Sequence, residues 1–357
     1  MAKIYRILAA FSRLARLLYT QIMALSSDRK NVLVMGGAGF IGSHLCEALV
    51  QHANVICVDN FSTSTPASLQ SLLQNPHFEL IRHDITEPLD LTAHHELDRF
   101  HVRVHGVQEI YHLACPVSKS SYNQYRLALL KTQSVGMMQV MDLAVHYKAK
   151  VVFGSTSALY EPADEPYIPE DARCWNDHLG AGAAYDEGKR FSETILQTYV
   201  DIHGLSAKIV RLFRAYGPRM PLREGNLLPE IINAALTHQD LELSYSEDAR
   251  FSLCYVTDVV DGLLKTMAHG SDARIMNIGS DQEVRLGMVV ERIQQLTGSQ
   301  ARIRFQSSGK KYVSPIPGID RARQLLHWLP LTRLDDGLKQ MIDYSRSKSH
   351  TLTEFGM

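Results

Sequence analysis

The chain has 357 residues, enough for one large domain or two modest ones with ample core. Its 45% hydrophobic and 21% charged residues are ordinary for a soluble globular protein and exclude a disordered chain. Thirty-seven basic against 38 acidic side chains leave a formal net charge of −1, so no global basic field exists to hold nucleic acid, and anionic ligands must be met by local donors.

Residues 1–28 form an extension unlike the rest. Up to residue 27 its only charges are Lys3, Arg6, Arg13 and Arg16, and Ile4, Leu8, Phe11, Ala15, Leu18, Ile22 and Leu25 recur at alternating spacings of four and three, a helical stripe. Arg13 and Arg16 interrupt the apolar run, which is too short to span a bilayer and poorly shaped as a secretory signal. It reads as an interfacial basic helix, a helix packed on a partner subunit, or sequence upstream of a start at Met23; the last two are favoured.

From Asn31 the elements alternate. A strand is predicted over 32–35, then a glycine turn, a helix over 41–51, and a strand over 55–58 ending at Asp59. A helix over 66–73 and strands over 78–81 and 109–112 follow, then a long helix over 125–146 and a strand over 151–153. This order predicts an α/β fold with a doubly wound parallel sheet, covered on both faces, over residues 29–215. After Gly217-Pro218-Arg219 the elements become shorter and more polar, so residues 216–346 are expected to form mainly a smaller substrate-covering domain, with some segments returning to the sheet and a tail over 347–357.

His101 and His105 lie on a run that alternates like an exposed strand, with no acid or cysteine partner, so no metal is expected. Cys46, Cys57, Cys115, Cys174 and Cys254 show no paired spacing, neither a disulfide framework nor a zinc motif, which fits a reducing cytoplasm.

Gly36, Gly37, Gly39 and Gly42 follow an apolar strand and open a helix, and Asp59 ends the next strand, the context a dinucleotide-binding turn requires. Glycines let backbone N–H groups approach a pyrophosphate at the helix N-terminus, while Asp59 can accept from both ribose hydroxyls and would repel a 2′-phosphate, favouring NAD over NADP. Asp84 and Ile85 after the third strand sit by the adenine, or Asp84 caps a helix. Downstream, Tyr185 and Lys189 stand four apart, on one face of a helix, so the ammonium can sit beside the phenol. Making tyrosine a base near neutrality takes roughly 4 kcal/mol of preferential phenolate stabilisation, much of which a neighbouring cation can supply.

These runs, with Val58-Asp59-Asn60, Tyr111-His112-Leu113-Ala114, Ser155-Thr156-Ser157, Tyr216-Gly217-Pro218-Arg219-Met220 and Tyr255-Val256-Thr257-Asp258, resemble the extended short-chain dehydrogenase/reductase family of nucleotide-sugar enzymes from Asn31 to about Ser345. Within it the chain looks most like the UDP-glucuronate decarboxylases, through His112 to Pro116, Tyr185 to Arg190 and Gly217 to Met220. The resemblance implies NAD held at Gly36, Gly39, Phe40, Ile41, Gly42, Asp59, Asn60, Leu113, Ala114, Tyr185 and Lys189. It implies a reaction through a transient 4-keto sugar, with Tyr185 as base, Thr156 on the same oxygen and Lys189 on the nicotinamide ribose. No metal is called for. Ser157, Arg214, Arg219 and Arg250 are the substrate candidates; Arg219 and Arg250 suit a diphosphate, or else are surface ion-pair partners. The family implies a homodimer pairing the helix over 125–146 with the one beginning near Tyr185.

The chain departs from that pattern at several positions. Ala158 stands where the decarboxylases carry glutamate, Gln133 and Arg214 where asparagine is usual, Pro315 in place of an arginine, and Glu161 in place of a glycine. A 4,6-dehydratase would need an acidic pair after the threonine, which Ser157 and Ala158 do not provide. A 4-epimerase needs none and is the alternative reaction; an NAD-binding regulatory protein without catalysis is the alternative of another class.

Overall fold

Val32, Leu33, Val34 and Met35 form an unbroken apolar run because the strand they make is covered on both faces. In a computed structural model, which describes residues 29–116, 122–161, 167–222, 226–270, 274–306 and 312–354, this strand, β1 (Asn31–Met35), lies inside a seven-stranded sheet, next to its central strand. At 122–123 and 349–354 the description covers the backbone alone, and the helical stripe of residues 1–28 lies outside the described residues. The other strands are β2 (Asn54–Asp59), β3 (Phe78–Arg82), β4 (Glu109–His112), β5 (Lys150–Thr156), β6 (Ala207–Leu212) and β7 (Ile275–Ile278). Their order is β7-β6-β5-β4-β1-β2-β3 and every pairing is parallel.

Register aligns the strand ends that matter. Met35 pairs with Val58 on one side and His112 on the other, and Thr156 pairs with Leu212, so the carboxyl ends share one edge. The order reverses direction at β1 and β4, where doubly wound sheets open a crevice for ligands.

Helices cover both faces. One apolar cluster joins the sheet to α1 (Phe40–Leu49), α6 (Val256–Ala268) and α8 (Asp320–Leu326). A second joins the opposite face to α3 (Met137–Tyr147) and α4 (Ala183–His203). A third cluster stands apart from the sheet, built by α5 (Leu227–Thr237), α7 (Leu286–Thr297) and α9 (Leu334–Glu354) around Phe251. β7 lies between α5 and α7 in sequence, yet hydrogen-bonds β6.

Three local expectations are corrected. The helix expected over 125–146 is α2 (Tyr122–Lys131), a π-helical turn (Thr132–Gly136) and then α3, because packing, not local composition, sets the extra residue. Gln133 points inward from that turn and its amide donates to the Ala114 carbonyl at 3.1 Å. Its backbone carbonyl accepts from Ser192 at 2.7 Å. The alternating run at His101 to His105 is a helical turn (Val102–His105) preceded by His101 in the left-handed region, φ 50°, so burial of Val102 outweighs strand-like alternation. The two imidazoles meet edge to face 6.0 Å apart. Among the described residues no three His, Cys, Asp or Glu side chains converge to hold a metal ion, and no helix is long and apolar enough to cross a membrane. Residues 66–69 form one 3₁₀ turn in place of the expected longer helix.

Candidate active site

The glycine turn joins β1 to α1 at the crevice, and two of its glycines have no alternative. Gly36 adopts φ 79°, and a Cβ there would lie 2.6 Å from the Ala114 backbone nitrogen. At Gly42 a Cβ would lie 2.2 Å from the Gly36 carbonyl oxygen. Gly39 is the N-cap of α1, so Phe40 and Ile41 present its first turn to the cleft. A bare backbone cradle at a helix N-terminus fits the diphosphate of a dinucleotide.

Asp59 closes the cradle from β2. Its Oδ2 accepts from Ala38 N at 3.0 Å, and its Oδ1 accepts from Phe61 N at 2.9 Å and from the Ser64 hydroxyl at 2.7 Å. Three of about four acceptor sites on the carboxylate are thus in use, which leaves room for one ribose hydroxyl where two were expected. Asp59, Asn60, Ile85, Leu113 and Ala114 line one cavity with Gly36 and Gly39. Asp84 does not line it. Partial burial acts to raise its carboxyl, but hydrogen bonds from Thr86 and from Asn60 Nδ2 (2.9 Å) hold it below the usual range; the Thr86 contact closes a turn, and no helix starts there to be capped.

The cavity continues into a cleft of about 700 Å³ that brings together Gly36, Gly39, Phe40, Ile41, Gly42 and Leu113 with Thr156, Ser157, Tyr185, Lys189 and Arg214. Thr156 ends β5, and Tyr185 and Lys189 follow one turn apart on α4, whose close approach is permitted by Gly188, where a Cβ would sit 3.2 Å from Gln133 Cβ. Lys189 is 3% exposed; its ammonium donates to the Gly154 carbonyl at 2.7 Å and lies 4.7 Å from the centre of the Phe153 ring. Burial lowers its pKa, while Cys115 and Glu193 act in the opposite direction.

The phenol differs from expectation. Burial pushes Tyr185 well above the ordinary tyrosine range, and the hydrogen bond with Thr156 offsets only part of that. The ammonium of Lys189, meanwhile, is hydrogen-bonded to the Gly154 carbonyl. Ligand-free, the phenol is a proton donor.

Arg219 and Arg250 do not line the cleft. Arg219 faces an adjoining cavity of about 400 Å³, which shares Gly39, Phe40, Met220 and Pro221 with the cleft, and is paired with Glu47 on α1. Arg250 is paired with Glu283, although Tyr312 and Ser314, which bracket it through backbone hydrogen bonds at 2.9 Å, do line the cleft. Residues that sequence reading missed include Thr63, Cys115, Asn226, Tyr312 and Ser314, all on loops that carry no periodic signal. Only Cys115 lay within a quoted motif, and it lines both cavities.

A sequence profile described as the NAD dependent epimerase/dehydratase family matches residues 32–279. The chain is 34% identical over 316 residues to UDP-glucuronic acid decarboxylase 3 of Arabidopsis thaliana, covering 87% of each. It is 33% identical over 325 residues to UDP-glucuronic acid decarboxylase 1 of Xenopus tropicalis, covering 90% of this chain and 73% of that one. Among solved structures, UDP-glucuronic acid 4-epimerase of Bacillus cereus in complex with NAD superposes with a TM-score of 0.74 at 25% identity, covering 89% of this chain and 99% of that one. Glycine cradle, parallel sheet and sequence agree, and the chain belongs to the NAD dependent epimerase/dehydratase family.

Proposed function

We propose that this protein is an NAD-dependent nucleotide-sugar enzyme that acts through a transient 4-keto sugar, decarboxylating UDP-glucuronate to UDP-xylose. The observation that carries this reading is the convergence of Tyr185, Lys189 and Thr156 on the cleft that the glycine turn opens. The similarity to named decarboxylases supports the substrate.

Gly36, Gly39, Phe40, Ile41, Gly42, Asp59, Asn60 and Ile85 would hold NAD, which would supply the acceptor, and on return the donor, of the sugar C4 hydride. Tyr185 accepts the C4 hydroxyl proton and gives it back to the same oxygen, and the Thr156 hydroxyl holds that oxygen in line. Lys189, one turn away and donating one of its three N–H groups to the Gly154 carbonyl, brings its charge beside the phenolate. A C4 ketone lies β to the C6 carboxylate, so the C5–C6 electron pair flows into the carbonyl as carbon dioxide leaves, and the enolate so formed takes a proton at C5 from water before hydride returns to C4. Ser157 borders the sugar.

A second reading, 4-epimerisation, draws support from Ala158, which puts no carboxylate beside the sugar, and from the likeness to a 4-epimerase. Incubating the protein with UDP-glucuronate separates the two, since decarboxylation releases carbon dioxide and epimerisation conserves mass. Absence of both products would overturn the proposal.

Two copies pair through α2, the π turn, α3 and α4, which leave Leu127, Val135, Met138 and Phe191 exposed on one chain. Light scattering at micromolar concentration tests for the dimer. The five cysteines are free thiols, three of them buried, which suits a reducing cytoplasm. The cluster of α5, α7 and α9 forms the substrate-covering part.

A further inference from the structure

Charge in the cleft is one-sided. Among the described residues that line it, the charged side chains are Lys189 and Arg214, and neither aspartate nor glutamate is present. Lys189 is turned toward the Gly154 carbonyl and the end of the site where Tyr185 and Thr156 meet. Arg214 differs from the other arginines nearby, since Arg211, Arg219 and Arg250 are each paired with a glutamate. Its guanidinium has no hydrogen-bond or ion-pair partner among the described residues and lies 4.9 Å from the centre of the Phe251 ring. That ring is 1% exposed and is held in place by Tyr245 and Tyr312, with ring centres 5.4 and 5.3 Å away. A stacked guanidinium keeps its N–H edges free for a planar, bidentate acceptor.

A nucleotide sugar offers two such anions, the diphosphate at C1 and, in a uronic acid, the carboxylate at C6. Position distinguishes them. Thr156 pairs with Leu212 across β5 and β6, and Phe213 continues that edge by donating to the Ile278 carbonyl at 3.0 Å, so the Arg214 backbone is about 8 Å from Thr156. The sugar C4 rests at Thr156 and Tyr185. C6 is borne by the ring carbon next to C4, whereas C1 lies across the ring. Ala158, in the 3₁₀ turn (Ser157–Leu159) that follows Thr156, lines the cleft with a small side chain and brings no competing charge.

We propose that Arg214 receives the C6 carboxylate and is the residue by which the cleft selects uronic-acid nucleotides over neutral hexose nucleotides. The assignment rests on the nucleotide-sugar reading above.

The test is binding of UDP-glucuronate, UDP-glucose and UDP to the full-length protein saturated with NADH, which cannot accept hydride and so prevents turnover, measured calorimetrically for wild type, Arg214→Asn and Arg214→Lys. The expected result is at least about a tenfold loss of UDP-glucuronate affinity in Arg214→Asn, with UDP-glucose and UDP unchanged and Arg214→Lys intermediate. Unchanged UDP binding also reports an intact fold. Equal losses for all three ligands would overturn the assignment in favour of the diphosphate or of a structural role, and undiminished UDP-glucuronate binding would overturn it outright. A wild type that binds UDP-glucose as tightly as UDP-glucuronate would instead overturn the uronate reading itself.

Discussion

Glu193 and Arg211 grip each other through two hydrogen bonds of 3.0 and 2.7 Å, and the same glutamate accepts from the Ser155 hydroxyl at 2.6 Å. Glu193 lies one turn beyond Lys189 on α4, Ser155 precedes Thr156 on β5, and Arg211 is on β6. The triad therefore ties together the three elements that carry the site. Arg211 also lies 4.6 Å from the centre of the Tyr160 ring, and the Tyr160 hydroxyl donates to Asn277 on β7 at 2.7 Å.

Removing one member of this network leaves an uncompensated buried charge. Glu193→Ala should cost about 3–5 kcal/mol of unfolding free energy, and Glu193→Gln less, because it keeps shape and part of the hydrogen bonding. Denaturant titration checks this, with an unchanged slope showing that the two-state comparison holds. A loss below about 1 kcal/mol for the alanine variant would mean that water replaces the glutamate.

Tyr185→Phe deletes the proposed proton acceptor and keeps the ring in helix α4, so on the proposed function turnover of UDP-glucuronate should fall about 100- to 10,000-fold with little change in melting temperature. Thr156→Ala should fall by about 10- to 100-fold, the worth of one hydrogen bond to a charged oxygen. The protonation state has its own readout. Because burial raises the phenol, the cofactor-free wild type minus Tyr185→Phe should show no phenolate absorbance below about pH 10, and a signal near neutrality would contradict the burial argument.

What could be read in advance was local. Strands β1, β2 and β5 are legible because a parallel strand buried on both faces is a run of apolar residues, and the cradle is legible because only glycine fits beside Ala114 N and the Gly36 carbonyl. The π turn was not, since Gln133 is drawn inward by a carbonyl and a serine 19 and 59 residues away. The arginines show the same limit. Glu47, which neutralises Arg219, is 172 residues distant, and nothing near Arg214 in sequence reveals that it lacks such a partner in the cleft. The state of Tyr185 is hidden for a related reason: four-residue spacing gives proximity to Lys189, but the burial that raises the phenol comes from tertiary structure.

His112 is fully buried at the end of β4, with neither ring nitrogen hydrogen-bonded among the described residues, and desolvation, helped by the Lys189 charge, lowers its pKa to about 3. The unfolded chain binds this proton near pH 6.5, so between about 6.5 and 3 it holds more protons than the native state, and stability falls as pH falls. From pH 7 to 4.5 the loss from this one group is about 3 kcal/mol. Urea titrations at both values should show it, and His112→Leu should flatten the dependence even if it shifts stability at pH 7. An unchanged slope would assign the acid sensitivity elsewhere.

Asp59 is 8% exposed and holds the glycine turn, through Ala38 N, and the loop after β2, through Phe61 N and Ser64, at the same time. Its replacement is therefore a test of whether it serves mainly the ribose or the cradle. Asp59→Asn keeps one acceptor oxygen and puts an NH₂ group where the other stood, facing N–H or O–H donors, so each orphaned donor costs about 1–3 kcal/mol. The variant should lose stability in the absence of any cofactor and weaken NAD binding, without gaining NADP binding, because removing one negative charge supplies no guanidinium for a 2′-phosphate. Calorimetric affinities for both dinucleotides, alongside the melting temperature of the cofactor-free protein, separate the roles: a variant of full stability that merely exchanges NAD for NADP would show that the aspartate reads the ribose and leaves the turn to fold unaided.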